Sequence, residues 1–318
     1  MYTLHYGHLA FKDLWAELKL PEFIGKLQQD STDITSWQLS DFIFYLTSMK
    51  AMEPRSLFFR EFHCYYSAPC FFYCPWITIP DITKSYYAGL DLFAAQGPSI
   101  ISHVAAIHRE RQARSGRKAN VLADGPAWFA FDPMGYPVGC QAGSGDEALE
   151  TLRERLQQLG FTTIEVKTDD QLPQKTSRSW CELADNQDWE ILPPNEQHSA
   201  SEQAARCYLA VLSLMVLKEL QAKLNAAGVK LTLERISAAL KDSQFMVEHG
   251  TQDDEMVLMP CQHTYHENKV HLEQIFAALG LGIPTSPNSL AILKEDFKLQ
   301  DIPDHLLISE DALEQDLT

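Results

Sequence analysis

Three acidic positions matter for where they fall. Asp124 closes the run NVLAD ahead of Gly125 and Pro126, Asp169 and Asp170 close FTTIEVKTDD, and Glu182 sits in SWCELADNQDW. Carboxylates collected from separate segments suit Mg²⁺, which takes hard oxygen ligands in a near-octahedral shell. Two such ions, about 4 Å apart, can activate a water or a 3′-hydroxyl and stabilise the leaving oxygen of a phosphodiester. Asp-Gly is equally a common turn pair, and an acid at a strand end equally solvates a loop. Both roles stay open on spacing alone.

The elements that would position these acids are legible in part. NVLAD, AWFAF and YPVGCQA are short β-branched and aromatic runs with turn residues between them, and DPMG is a type I turn signal. GDEALETLRERLQQLG has an acidic first turn and a glycine stop, the marks of a helix, and FTTIEV reads as a strand. The order is therefore β-β-β-α-β. Upstream, HLAFKDLWAELKLPEFIGKL predicts one helix, with Pro21 opening a second, and SWQLSDFIFYLTSMKAM predicts another capped by Ser36 or Ser40. Residues 81–112 predict two helices separated at Gln96-Gly97-Pro98. Downstream, SEQAARCYLAVLSLMVLKELQAKLNAAG is nearly apolar from Cys207 to Leu217, which predicts a helix buried on all sides. TLERISAALKDS predicts a further helix, FMVEHGTQDDEMVLMP a hairpin, and ENKVHLEQIFAALG a helix ending at Gly280.

Composition narrows the classes. A chain of 318 residues with 45% hydrophobic content can bury a substantial core. The sequence shows neither a basic leader with an apolar run nor a long uncharged apolar stretch, so a cytoplasmic protein with no membrane partner is expected. Seven cysteines, odd in number and set among apolar neighbours, suit reduced thiols. The formal charge of −17 argues against a general nucleic-acid coat but leaves room for a local basic patch. HRERQARSGRK supplies one, with Arg109, Arg111, Arg114, Arg117 and Lys118 as candidate DNA-binding residues. A solvated helix end running into a Ser-Gly linker is the alternative. From residue 292 the tail carries eight acids against two lysines.

The landmarks, taken in order, resemble those of the DDE transposases of bacterial insertion sequences, the branch similar to insertion sequence 4. YGHLAFKDLWAELKLPEFI, MEPRSLFF and YYAGLDLFAAQGPSI resemble the helical N-terminal region of that family. FAFDPMGYPVGCQAGSGD resembles its D-x-x-G-x-P-x-G turn, VKTDD its second acid-bearing strand, and IFAALGLGIP its C-terminal end. The resemblance implies an RNase-H-like α/β (α+β) fold with a mixed sheet core, an N-terminal helical domain, and C-terminal helices plus a hairpin. The implied domains are 1–118 (N-terminal helical), 119–220 (RNase-H-like core with the buried helix), 221–291 (C-terminal helical and hairpin) and 292–318 (acidic tail). It also implies double-stranded DNA as substrate, Mg²⁺ as cofactor, a homodimer, and Asp124, Asp169 and Glu182 as the catalytic, metal-holding acids. DNA cleavage and strand transfer would be the activity. Pro126 stands where the family has a Thr or Ser, and the segments between the acids are shorter than in the family. That gives a second expectation, a catalytically inactive or repurposed derivative acting as a DNA-binding or protein-interaction module.

Overall fold

The computed structural model describes residues 2–29, 39–52, 82–111, 117–124, 127–167, 200–241, 243–249, 256–260 and 264–281. In chain order the elements are β1 (Tyr2–His5), a 3-10 turn (Tyr6–His8), α1 (Leu9–Glu17), α2 (Leu20–Gln29), α3 (Leu39–Met52) and α4 (Ile82–Arg111). Then come β2 (Lys118–Asp124), β3 (Ala127–Phe131), β4 (Pro137–Ala142), α5 (Asp146–Gln158) and β5 (Thr163–Val166). The remainder are α6 (Ala200–Ala226), α7 (Leu233–Lys241), β6 (Gln244–His249), β7 (Met256–Pro260) and α8 (Thr264–Ala278). The chain divides into two compact units: Asp13–Leu57 with Ile79–Glu219, and Met1–Lys12 with Phe58–Thr78 and Leu220–Thr318. No described helix is long and apolar enough to cross a membrane.

The larger unit is built on a four-stranded mixed sheet of order β4-β3-β2-β5. β2, β3 and β4 form the expected antiparallel meander, and β5 returns parallel to β2. Helix α5 makes that return. It buries Leu149, Leu152 and Leu156 on one stripe and carries Asp146 and Glu147 in its first turn, where carboxylates favour the helix dipole. It stops at Gly160, whose φ of 83° lets the Gly160 N–H reach Gln157 O and the Phe161 N–H reach Leu156 O. Those two bonds make a Schellman end. On β4, Gly139 leaves room for Leu152 of α5, since a Cβ there would lie 2.8 Å from its Cδ1, and Gln141 accepts from Arg155. Between them, Cys140 lies within electrostatic reach of Cys207 on α6. Alternate residues of one strand thus meet helices on opposite faces.

Every residue of α6 from Cys207 to Leu217 is buried, as its uniform apolarity predicts. The expected break in α4 is absent. Its 30 residues run continuously with Pro98 inside. Proline costs the helix one hydrogen bond, and packing outweighs that local loss. Gly97 is buried against Tyr208 of α6; a Cβ there would lie 2.5 Å from the tyrosine Cδ2. A second correction concerns Ser40. It lies inside α3, not at its cap, and its Oγ accepts a hydrogen bond from the Trp15 indole at 3.4 Å. Ser36 lies outside the described residues.

The smaller unit holds a three-stranded antiparallel sheet of order β1-β6-β7. β6 and β7 form the expected hairpin, while β1 pairs with β6 from Tyr2↔Val247 to His5↔Gln244. At four residues, Tyr2–His5 is too short a run to announce a strand by its pattern. His8, which follows it, is fully buried, and desolvation lowers its pKa to about 3.

Two measurements check this packing. Gly97→Ala should destabilise the protein by about 1–3 kcal/mol, read as a lower urea midpoint, because the added methyl overlaps a buried ring. A histidine with a folded pKa below its unfolded value stabilises the fold above about pH 6.5 and loses that contribution as pH falls. Between pH 7 and 4 the urea midpoint of the wild type should therefore drop more steeply than that of His8→Phe. Equal slopes would show that His8 does not stay neutral in the fold.

Candidate functional site

Asp124 is the last residue of β2, paired with Ala127 across the turn and half-buried. Its carboxylate lies close enough to Cys207 of α6 to act on the thiol, which burial first and then Asp124 push up to about 12. Cys207 is therefore a neutral thiol at neutral pH. The parallel ladder beside Asp124 pairs Lys118 with Thr163 and Val121 with Val166, a constant offset of 45 residues. Asp169, Asp170 and Glu182 lie outside the described residues.

Most of the basic candidates are engaged within the fold. The Arg109 guanidinium sits 4.3 Å over the Phe161 ring. Arg111 reaches Glu219 Oε2 and the Glu17 carbonyl, each at 3.3 Å. Lys118 Nζ lies 2.7 Å from Glu165 Oε1, and Lys167 Nζ lies 2.8 Å from its other oxygen. Hydrogen bonds from the two lysines hold the Glu165 carboxyl down to about 2. Arg117 is exposed, and its carbonyl accepts from the Thr162 and Thr163 amides. Arg114 lies outside the described residues.

A second polar cluster joins α4, the β3–β4 turn and α6. His108 Nδ1 and Glu219 Oε1 are 2.7 Å apart, and the His108 ring stacks on Tyr136 with centroids 3.4 Å apart and planes at 2°. Asp132 Oδ1 accepts from the Met134 and Tyr136 amides at 2.8 Å each, while Oδ2 faces His108 Nε2 at 3.9 Å. Asp132 is 3% exposed and Glu219 8%, so both carboxylates need these partners. Burial opposes ionisation of Glu219, but the hydrogen bond and charge of His108, with Arg111 further out, leave its carboxyl below the usual range. Burial and then the neighbouring Glu219 push the Tyr136 hydroxyl well up. That hydroxyl makes no hydrogen bond of standard geometry, although Glu219 lies close to it.

The sequence offered only weak signals for this cluster. Asp132 reads as a turn residue, which it is. Glu219 is an acid at the end of an apolar helical run, and such a residue requires a buried partner. Asp132 holds the turn amides, and Glu219 anchors His108 and Arg111. No family model, curated protein or solved structure matches the chain.

Glu219→Ala should cost about 3 kcal/mol in urea unfolding, because His108 and Arg111 lose their shared carboxylate. Glu219 stabilises the fold above its unfolded pKa of about 4.5, and that contribution disappears as pH falls through its lower folded value. The gap between wild type and Glu219→Ala should accordingly narrow below pH 4.5. A gap that stays constant to pH 3 would rule out the ionised carboxylate as its source.

Proposed function

We propose that the chain is a transposase-like DNA-processing protein, in which Asp124 and Asp169, with Glu182, hold Mg²⁺ for cleavage and strand transfer on double-stranded DNA. One observation carries most of this reading. The β2–β5 ladder has an offset of 45 residues, and Asp124 and Asp169 are separated in sequence by the same number. Continued three residues past the last pair, Val121↔Val166, that register would set Asp169 opposite Asp124 on the same face. The sheet order β4-β3-β2-β5, with an acid ending the strand that pairs both ways, supports an RNase-H-like core.

Asp124 suits the ion chemically, since a half-buried carboxylate at a strand end offers a hard oxygen donor. Cys207 does not, being a protonated soft donor at neutral pH. When bound, Mg²⁺ supplies a nucleophile at neutral pH and neutralises charge developing on the phosphodiester. In this reading the chain's own part is to bring the β2 end and the segment after β5 together, so that Asp124 and Asp169 share the ion. The alternative is a catalytically inactive or repurposed derivative, a DNA-binding or protein-interaction module. Its protein-interaction form is favoured by the −17 charge and by the engagement of Arg109, Arg111 and Lys118 within the fold.

The test is Mg²⁺-dependent nicking of a supercoiled plasmid by the full chain. Asp124→Asn and Asp169→Asn should each lower the rate at least 100-fold while leaving the urea midpoint within about 1 kcal/mol of wild type. Cleavage that survives both substitutions would remove these acids from the mechanism. A folded wild type that binds DNA and never cuts it would establish the derivative instead.

A further inference from the structure

The Lys118–Glu165–Lys167 triad is placed oddly for a simple surface ion pair. Two ammonium groups converge on one carboxylate at 2.7 and 2.8 Å, and the three side chains are 41%, 37% and 28% exposed. Two lysines reaching both oxygens of one anionic group form the donor arrangement that a backbone phosphate would also satisfy. Arg117 is exposed immediately before Lys118, so the two lysines stand beside a third cation. Only one carboxylate is bound between the two lysines, which leaves the triad with a net positive charge in an otherwise acidic chain.

The position along the sheet is equally specific. Lys118 opens β2 and Asp124 closes it, so with an even separation they lie on the same face of the strand. At about 3.3 Å per residue, they are about 20 Å apart. A duplex rising 3.4 Å per base pair covers that distance in about six base pairs. A duplex reaching both ends of β2 has to pass outside Leu122, which is buried between them on that face.

We propose that Lys118 and Lys167 are a phosphate-binding pair for duplex DNA, and that Glu165 occupies the pair in the free protein and competes with the DNA backbone. The inference rests on the DNA-processing reading above, to which it adds a track on the surface and an internal competitor. Lys118 is then a contact residue whose partner exchanges on binding, and Lys167 joins it.

Duplex binding by the full chain, measured by fluorescence anisotropy against salt, tests it. Glu165→Gln frees both lysines and should tighten binding about three- to fivefold at 0.15 M salt. It should also steepen the dependence of log K on log salt by about 0.9, one further phosphate neutralised. Lys118→Gln combined with Lys167→Gln should weaken binding and flatten that slope, with circular dichroism showing the fold retained. If Glu165→Gln leaves affinity and slope unchanged or weakens binding, the proposal is overturned. Preference of Glu165→Gln for single-stranded RNA over duplex DNA would also overturn it. Plasmid nicking separates the two ideas. Unchanged binding with nicking that depends on Asp124 sinks the lysine pair alone, whereas tighter binding without any nicking keeps the pair and sinks the catalytic reading.

Discussion

A helix buried on every side dictates most of the larger unit. From Cys207 to Leu217 no residue of α6 reaches solvent, so each face of the helix must be covered. The sheet covers one flank, and the Tyr208 hydroxyl accepts the Ala142 amide at the end of β4. α4 covers another, approaching closely enough that Gly97 has no room for a side chain. The same demand explains why Pro98 fails to break α4. An isolated helix would lose a turn there, but here both halves are held against one apolar surface.

Two acids meet this core at different points along α6. The Cys207 end of α6 lies near Asp124, a strand-end carboxylate that is half-buried. Twelve residues later, about 18 Å along the helix axis, Glu219 is bound by His108 and Arg111. The two acids have opposite circumstances. Glu219 is nearly enclosed and held by His108 and Arg111 from α4, so its chemistry is committed to the fold. Asp124 closes β2, which is paired on both sides, and it keeps partial access to water at the end of the strand.

The sequence carried the β-β-β-α-β order because each of its elements announces itself locally. Alternating aromatics marked the strands, the D-x-x-G turn marked the β3–β4 connection, and an acidic start with a glycine stop marked α5. The apolarity of α6 likewise needed no tertiary knowledge. What failed was what depends on distant contacts. Gly97 and Pro98 look like a break because local propensity favours one, and only the Tyr208 ring shows why the helix continues. Ser40 looks like a cap, but the helix starts one residue before it and its hydroxyl serves Trp15 instead. For the candidate site, residue type alone nominated Asp124 and the basic run. The use of Arg109 on Phe161 and of Lys118 on Glu165 could not be read from spacing, since those partners arrive through β5.

β1 carries a temporal consequence. Residues 2 to 5 pair with residues 244 to 247, so β1 is synthesised about 240 residues ahead of its partner. Closing a loop of that length is entropically slow compared with a local hairpin. During synthesis the strands of the meander can pair at once, whereas β1 has to wait with its backbone donors and acceptors unpaired. An unpaired strand edge on a nascent chain is a template for wrong pairing. Among the described strands, β1 is therefore the one that waits longest for its partner.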